Sequence, residues 1–319
     1  DLPNTIQLRK FEKEEKNHRE LSKNLYEIIK HMPKKSHPMD VARTAVSVMG
    51  LEDKETQDSS HEANMRKALR IFAKTPTALA AFYRIRKGKK IIKPKKNLTF
   101  AENFFYMCFG KVPQKEIVKA FDVSLILYAE HSFNVSTFTA RTITSSLSDI
   151  HGAITGAIAS LKGPLHGGAN EEVMHMMNKI KKPEKALKWI NNALKNKEVV
   201  MGFGHRVYKS GDSRVPTMRQ YFGKVAKLKK DKKFEKIYDI VEKVMIKEKN
   251  IHPNVDYPTG PTYHLMGFDT DFFTPIFVIS RITGWSAHIM EQHAANKLIR
   301  PLASYKGSKH RKVLQLNQR

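Results

Sequence analysis

Cysteine is almost absent from this chain of 319 residues, in which Cys108 is the only one. A single cysteine excludes an intramolecular disulfide, and nothing else in the composition points to an oxidising compartment. Long apolar runs are also missing, because stretches such as 272–279 are too short and too interrupted to cross a bilayer. No basic, apolar and small-residue succession typical of a secretory signal opens the chain. We therefore expect a cytoplasmic protein without membrane spans.

Acidic residues are scarce: 31 Asp and Glu stand against 57 Lys and Arg, a net charge of +26. Such a charge attracts polyanions, and nucleic acid is the obvious candidate. The sequence has no zinc-finger spacing, no RNP-like motif and no aromatic residues interleaved with the basic ones, so a nucleic-acid partner is disfavoured. Lysines on solvated helix faces explain the same net charge, and a small anionic substrate is compatible with it. The lysine-rich stretches are 87–96, 179–188, 224–236 and 306–312.

Strand-like alternation of apolar and polar residues is nearly absent, and helical periodicity replaces it. Hydrophobic residues make up 40% and charged residues 28%, which is typical of a soluble globular protein. We predict a mainly α fold, in one large domain or two smaller ones, with small residues in 143–159 letting helices approach closely. The predicted helices cover 5–31, 38–50, 75–88, 99–110, 113–131 and, as a helix pair, 274–300.

The first chemical motif is the stretch 163–170, Gly-Pro-Leu-His-Gly-Gly-Ala-Asn. Asn170 suits a helix N-cap, so His166 is predicted to lie just before a helix start. The partial positive charge of the helix end would lower the pKa of His166 and favour the neutral imidazole, which can donate a hydrogen bond to an enolate. A glycine-rich turn with an incidental histidine is the alternative.

The second motif is Met-Gly-Phe-Gly-His-Arg-Val-Tyr-Lys at 201–209, which continues to Arg214. Its glycines allow close backbone approach, and its charges suit an anionic ligand. It follows no clear strand and lacks the order of a phosphate-binding loop, so neither nucleotide fingerprint applies. Its four candidate residues are His205, Arg206, Lys209 and Arg214.

Two further motifs follow along the chain. The turn-rich loop 252–260 delivers one carboxylate, Asp256, which by itself would more often be a turn or helix cap. In 274–301, arginines interrupt otherwise apolar helices, and buried guanidinium groups require carboxylates from the protein or from a substrate. The other histidines show no metal-ligand spacing and are predicted to be structural. They are His175, His264, His288 and His293.

Together, the motifs GPLHGGANE, MGFGHRVYK, PNVD and GWSAHIMEQ resemble the citrate synthase family over nearly the whole chain and in the same order. The resemblance implies a multihelical fold of two domains. The large domain comprises 1–167 and 268–319, and the small domain comprises 168–267, with closure of the two excluding water from the site. In the family a further N-terminal segment precedes the position where this chain begins.

The resemblance also assigns roles to residues. It implies that His166 stabilises the enol or enolate of an acyl-CoA, that Asp256 removes the α-proton, and that His205 polarises the ketone of oxaloacetate. Arg300 would reach the site of a neighbouring subunit, which implies a homodimer. No metal or redox cofactor is expected, because a coenzyme A thioester is itself the substrate. The residues that would hold the oxaloacetate carboxylates are His131, Arg214, Arg281 and Arg300, and those near the CoA phosphates are Lys209 and Arg206.

Tyr128, Ser213 and the run 256–261 resemble the 2-methylcitrate synthase branch more than the citrate-specific one. The resemblance therefore favours propionyl-CoA over acetyl-CoA, although one methylene changes binding by only about 1–3 kcal/mol and dual use is expected. A primary citrate synthase of the tricarboxylic acid cycle is the alternative. A non-catalytic scaffold that binds polyanions is a remote one, since it would be marked by loss of His166, His205 or Asp256, and all three are present.

Overall fold

A computed structural model describes residues 2–164, 166–205, 207–208, 211–309 and 311–319. The fold is mainly α, as predicted: the described residues form fourteen α-helices and two short 3-10 helices. Within the same ranges, sheet-type pairing is limited to one isolated bridge between Phe203 and Pro253. No helix in the described part of the chain is both long and apolar enough to span a bilayer.

The helices follow one another along the whole chain with short connections. In the first half they are α1 Thr5–His18, α2 Lys23–His31, α3 Pro38–Glu52, α4 His61–Arg86, α5 Phe100–Phe109, α6 Lys115–Tyr128 and α7 Val135–Ser145. In the second half they are α8 Ile150–Leu161, α9 Ala169–Ile180, α10 Pro183–Lys195, α11 Val215–Leu228, α12 Lys233–Lys249, α13 Asp256–Met266 and α14 Phe273–Ala294.

Helix α5 shows how local sequence sets the helix ends. Thr99 caps it by accepting a hydrogen bond from the backbone N–H of Glu102, whose side chain bonds back to the cap. The helix ends where Gly110 takes the left-handed conformation at φ 80°. The predicted bounds of this helix are confirmed because both signals are local.

Several predicted helix bounds are wrong. Helix α4 begins at His61 and contains Pro76, which was expected to open it. A proline removes only one backbone hydrogen bond, and the buried residues around it hold the helix together by tertiary packing. The stripe over 5–31 is divided between α1 and α2, with Ser22 capping the second. The expected helix pair in 274–300 is the single helix α14, followed by non-helical chain.

Close helix contacts depend on small residues, as predicted for 143–159. A Cβ atom on Gly156 would lie 2.1 Å from Cδ1 of Ile143, so a larger residue there would force the Ile143 side chain between α7 and α8 to move. Helix α3 continues past Gly50, its predicted end, because Gly50 packs against His151 of α8, where a Cβ atom would lie 2.9 Å from that of His151.

Helices α9 to α13 pack on one another, and α14 lies against α4, α6, α7, α8 and α9. The main hydrophobic core is continuous and draws residues from both of the predicted domains. A second, smaller core joins α2, α3 and α4. The division into domains at 167/168 and 267/268 stays a prediction.

The contact of α14 with the end of α6 positions the candidate site. Gly284 has its backbone N–H 3.1 Å from the carbonyl oxygen of Ala129, and a Cβ atom there would lie 2.4 Å from the same oxygen. Ser280 donates to the carbonyl of Leu125. These contacts place the first turns after Ser280 directly beside the last turn of α6.

Candidate active site

Two arginines meet at the carboxyl end of α6. Nε of Arg281 donates to the carbonyl oxygen of Tyr128 at 2.6 Å, and Nη1 of Arg214 donates to that of Leu127 at 3.3 Å. The last carbonyls of a helix lack partners within the helix and carry partial negative charge, so cationic groups are favoured there. The end of α6 therefore fixes both guanidinium groups in one place.

The guanidinium group of Arg281 is buried with one nitrogen that has no hydrogen-bond partner. Its side chain is 1% exposed, and its Nη1 atom is buried without a hydrogen-bond partner. Burial, followed by the positive charge of Arg214, lowers the pKa of Arg281 to about 10, so the group is still protonated at neutral pH. A buried cation with a free donor costs free energy unless an anion compensates it. We therefore expect an anionic ligand to bind beside Arg281.

Asp256 is the first residue of α13 and reaches the same place. Its Oδ1 accepts a hydrogen bond of 2.5 Å from the hydroxyl of Tyr128. Burial raises the pKa of Asp256 to about 6, although the Tyr128 hydrogen bond and the charge of Arg214 act in the opposite direction. A carboxylate with such a pKa is a useful proton acceptor near neutral pH.

Asp212 is a functional candidate that the sequence motifs did not reveal. Its carboxylate is buried and holds Arg214 through both oxygens, at 3.0 Å and 2.8 Å. Oδ2 also accepts a 3.0 Å hydrogen bond from the backbone N–H of Val255, which precedes Asp256. Burial acts to raise the pKa of Asp212, but its hydrogen bonds and the charge of Arg214 lower it overall. In the sequence, the only sign of this ion pair is that Asp212 and Arg214 are two positions apart.

His131 and His205 face each other with their Nε2 atoms 3.0 Å apart. The Nδ1 atom of His205 accepts hydrogen bonds from the backbone N–H groups of Val207 and Tyr208, at 3.0 Å and 3.3 Å. Nδ1 is therefore unprotonated, and the neutral ring carries its proton on Nε2, where a ligand can accept it. Burial, followed by the charge of Arg214, lowers the pKa of His131 to about 4, so this ring is also neutral.

His166 is oriented by Ser136, the second residue of α7. The backbone N–H of Ser136 donates to Nε2 of His166 at 3.1 Å, and the hydroxyl oxygen of Ser136 lies 2.8 Å from the same atom. Nε1 of Trp285 donates to that hydroxyl at 3.2 Å. Since Nε2 accepts, the proton of the neutral His166 ring lies on Nδ1 and is free for a ligand.

The predicted surroundings of His166 need correction. Helix α9 begins at Ala169 with Gly168 as its N-cap, whereas Asn170 lies buried inside the helix with both polar side-chain atoms unpartnered. The pKa of His166 is lowered to about 4, as the neutral imidazole requires. The main cause is burial, followed by the charges of Arg281 and His131.

Glu171 anchors the loop that carries His166. Its Oε1 atom accepts a hydrogen bond of 3.1 Å from the backbone N–H of Thr274 and another from the Thr274 hydroxyl. That hydroxyl also lies 3.3 Å from the carbonyl oxygen of Gly167. A Cβ atom on Gly167 would lie 2.5 Å from the carbonyl oxygen of Leu161, so this position requires glycine.

The described contacts bring six of the predicted site residues together. Asn134 joins two branches of the site: its amide donates to the carbonyl of His131 at 3.2 Å, and its Oδ1 accepts from the hydroxyl of Ser136 at 2.8 Å. Arg300 lies exposed in the segment after α14, and no described contact joins it to the others. Arg206 and Lys209 lie outside the described residues. The six residues brought together are His131, His166, His205, Arg214, Asp256 and Arg281.

Three of the four other histidines make contacts of the kind expected for structural residues, whereas His175 is exposed on α9. His264 packs edge-on against Phe234 at 5.1 Å, and Nδ1 of His293 lies 3.0 Å from the amide of Asn64. His288 lies 3.1 Å from a carboxylate oxygen of Glu130. Across the described ranges, no three His, Cys, Asp or Glu side chains are grouped as metal ligands.

The site thus combines two neutral imidazoles that can donate N–H, a carboxylate of raised pKa, and a buried guanidinium group that lacks an anion. Such a set can hold an acidic ligand, withdraw a proton and stabilise the negative charge that develops on oxygen.

A family model described as "Citrate synthase, C-terminal domain" matches residues 1–302. A citrate synthase of Mycolicibacterium smegmatis is 51% identical to the chain, over 98% of the chain and 84% of that protein. The 2-methylcitrate synthase 2 of Corynebacterium glutamicum is also 51% identical, over 100% of the chain and 85% of that protein.

Solved structures show the same fold. The citrate synthase of Pyrobaculum aerophilum is 34% identical and superposes with a TM-score of 0.93, covering 100% of this chain and 83% of that one. That of Thermoplasma acidophilum, in a ternary complex with carboxymethyl coenzyme A and oxaloacetate, is 32% identical with a TM-score of 0.93, covering 100% and 86%.

Proposed function

The chain belongs to the citrate synthase family, and on this premise we propose that it is an acyl-CoA:oxaloacetate C-acyltransferase. Its reaction is a Claisen-type condensation followed by hydrolysis of the thioester, with release of CoA. The preferred pair of substrates is oxaloacetate and propionyl-CoA, which give 2-methylcitrate, and acetyl-CoA is accepted as well to give citrate. The observation that carries the proposal is the buried, unpartnered Nη1 of Arg281 beside Asp256.

Oxaloacetate has two carboxylates, and a planar guanidinium fork matches a carboxylate. In the proposed complex Arg281 takes one of them through its free Nη1, and Arg214 and His131 contribute to holding the ligand. The proton on Nε2 of His205 is then donated to the ketone oxygen, which becomes an alkoxide during the attack. The 3.0 Å contact of His205 with His131 supports this, because the ketone oxygen can replace the Nε2 acceptor of His131.

Asp256 removes the α-proton of the acyl-CoA. A thioester α-proton is far less acidic than a carboxylic acid, so the transfer requires a donor that meets the enolate oxygen. His166 is suited to this task, because its Nε2 is occupied by Ser136 and its Nδ1 carries the proton. The enolate carbon attacks the ketone carbon of oxaloacetate to form the new carbon–carbon bond. Water then cleaves the thioester, and CoA leaves as the thiol.

Neither step changes the net oxidation state of the substrates, and the protein side chains handle the proton transfers. We therefore propose that the enzyme needs no metal or redox cofactor, with CoA entering only as the thioester substrate. Lys209 and Arg206 are the proposed contacts of the CoA phosphates. Closure of the small domain, 168–267, over the large one would exclude water while the enolate exists.

A homodimer is part of the proposal, with Arg300 completing the oxaloacetate site of the partner subunit. Arg300 lies exposed in a tail that presents apolar side chains to solvent. In the proposed dimer, a partner surface covers some of these side chains. The exposed apolar residues of the tail are Leu298 at 66%, Leu302 at 90%, Tyr305 at 73%, Val313 at 88%, Leu314 at 50% and Leu316 at 82%.

The test measures release of the CoA thiol with oxaloacetate and either propionyl-CoA or acetyl-CoA, in parallel and at matched concentrations. We expect turnover with both and a higher kcat/KM for propionyl-CoA. A clearly higher kcat/KM for acetyl-CoA would support the alternative, a citrate synthase, which the relative of that name at 51% identity favours. No thiol release with either thioester would overturn the proposed function.

A further inference from the structure

We propose that Tyr128 is a positioning residue for the base: its hydroxyl holds Oδ1 of Asp256, so that Oδ2 is the oxygen that accepts the α-proton. The proposal rests on the proposed function for the identity of the substrate. The hydrogen bond between the two side chains can be tested without it.

Tyr128 connects the base with the anion site. It is the last residue of α6, and its side chain is 1% exposed. Its carbonyl oxygen accepts from Nε of Arg281 at 2.6 Å, while its hydroxyl donates to Oδ1 of Asp256 at 2.5 Å. The ring packs against Phe277 with 4.2 Å between centroids, which fixes the direction of the hydroxyl. No described residue donates to Oδ2 of Asp256.

The phenol donates at every working pH. Burial, followed by the charge of Asp256, raises the pKa of Tyr128 well above its ordinary value, so the hydroxyl does not ionise. A donor of this kind strengthens when Asp256 is ionised, because a hydrogen bond to a carboxylate is charge-assisted. Tyr128 therefore stabilises the basic form of Asp256 as well as its orientation.

Other charged or titratable groups also face Asp256. Arg214 and Asp212 approach from the segment before α11, Arg281 from α14, and Tyr263 from α13 itself. Both arginines lower the pKa of Asp256, and Asp212 raises it. Since Tyr128→Phe leaves all of these groups in place, the variant isolates the contribution of one hydroxyl.

The experiment compares Tyr128→Phe with Tyr263→Phe. Each substitution removes one buried tyrosine hydroxyl, but that of Tyr263 pairs with Ser124 at 2.9 Å and makes no hydrogen bond to Asp256. For Tyr128→Phe we expect the acid limb of kcat/KM to move up by about one pH unit and kcat on the plateau to fall about tenfold. The KM for oxaloacetate should stay within about twofold, because the backbone contact with Arg281 remains.

Tyr263→Phe should leave the acid limb at its wild-type position. Tyr128→His, which restores a side-chain donor, should bring the acid limb back toward the wild type. An acid limb that is the same in wild type and Tyr128→Phe would overturn the proposal. An equal shift in Tyr263→Phe would also overturn it, because the effect would then be general loss of packing.

A titration by NMR makes the result independent of turnover. In protein labelled with ¹³C at the aspartate carboxyl groups, the Asp256 signal is assigned as the one lost in Asp256→Asn. Its midpoint should rise in Tyr128→Phe and stay unchanged in Tyr263→Phe. An unchanged midpoint in Tyr128→Phe overturns the role of Tyr128, whereas an absence of thiol release from the wild type overturns only the proposed function.

If Tyr128→Phe does not fold, proton NMR of the wild-type protein tests the hydrogen bond instead. The hydrogen bond to Asp256 gives the phenol proton of Tyr128 a downfield resonance, and this signal should be lost in Asp256→Ala, which lacks the acceptor. Its absence from the wild type would overturn the proposal.

Discussion

The backbone N–H of Ser136 donates to Nε2 of His166 over 3.1 Å. A backbone amide can only donate, so Nε2 is the acceptor in this contact and the proton of the neutral imidazole is assigned to Nδ1. The position of the first turn of α7 therefore determines which ring nitrogen of His166 can donate to a ligand.

The substitution Ser136→Ala tests this arrangement. The backbone donor remains, so His166 should keep its proton on Nδ1, whereas Trp285 loses the acceptor of its Nε1–H. We expect a loss of about 1–2 kcal/mol in the free energy of unfolding and a fall in kcat of no more than about tenfold. Histidine ¹⁵N NMR and thiol-release kinetics measure the two effects. A switch of the proton to Nε2 would contradict the assignment.

The pH profile should report Asp256. Its pKa of about 6 lies above the values of about 4 for His131 and His166, so these two rings are neutral where Asp256 gains its proton. Activity requires the carboxylate, and kcat/KM should therefore fall as the pH drops below about 6. A profile that stays flat down to pH of about 5 would remove Asp256 from the role of base.

Asp256→Asn should lose nearly all turnover and gain stability. Because the pKa of Asp256 is raised in the folded state, its ionised form opposes folding at neutral pH, and this cost vanishes as the pH falls below the unfolded value. The variant should be more stable than the wild type by about 1–3 kcal/mol at pH 8 and show no such gain at pH of about 4. Urea unfolding at the two pH values makes the comparison, and binding of oxaloacetate should be retained.

Arg281→Met should weaken oxaloacetate binding without lowering the stability of the free protein. The substitution removes a buried charge with an unpartnered Nη1 and keeps an apolar side chain of similar length, so the free protein should be at least as stable as before. Oxaloacetate should raise the Tm of the wild type and fail to raise that of the variant, with affinity reduced at least about 100-fold. Thermal shift with and without oxaloacetate is the measurement, and an undiminished shift would place the ligand elsewhere.

Asp212→Asn should be strongly destabilising because it leaves the largely buried Arg214, whose side chain is 13% exposed, without its counter-ion. We expect a loss of about 3 kcal/mol in the free energy of unfolding together with a higher KM for oxaloacetate. Asp239→Asn is the matched control, since Asp239 pairs with Arg219 at 2.9 Å on the surface, with its side chain 58% exposed. That control should cost less than about 1 kcal/mol. Equal losses in both variants would contradict a special role for Asp212.

Subunit mixing tests the role of Arg300. Arg300→Ala and Asp256→Ala should each be nearly inactive when expressed alone. If Arg300 serves the partner's site, a mixed dimer contains one site with both substitutions and one site with none, so co-expression should restore activity. Activity that stays at the level of the single variants would mean that Arg300 acts in its own subunit or not at all.

Much of the fold was predictable from local patterns. Thr99 and Gly110 set the ends of α5 because a capping hydroxyl and a left-handed glycine act within a few residues. Pro76 misled the prediction of α4, since burial of the surrounding residues outweighs one lost backbone hydrogen bond. The N-cap assigned to Asn170 failed for a related reason: the loop before α9 is held by Thr274, more than a hundred residues away.

By itself, the sequence determined the helical class, the order of the motifs and the identity of the candidate groups, because these depend on residue type and short spacing. The tertiary structure decided which groups meet. Hydrogen bonds between residues 128 and 256, 136 and 166, and 128 and 281 join segments that are distant along the chain, and no local pattern encodes them. The protonation of the site was decided there too, because the pKa of each group follows from burial and from the charges that folding brings beside it.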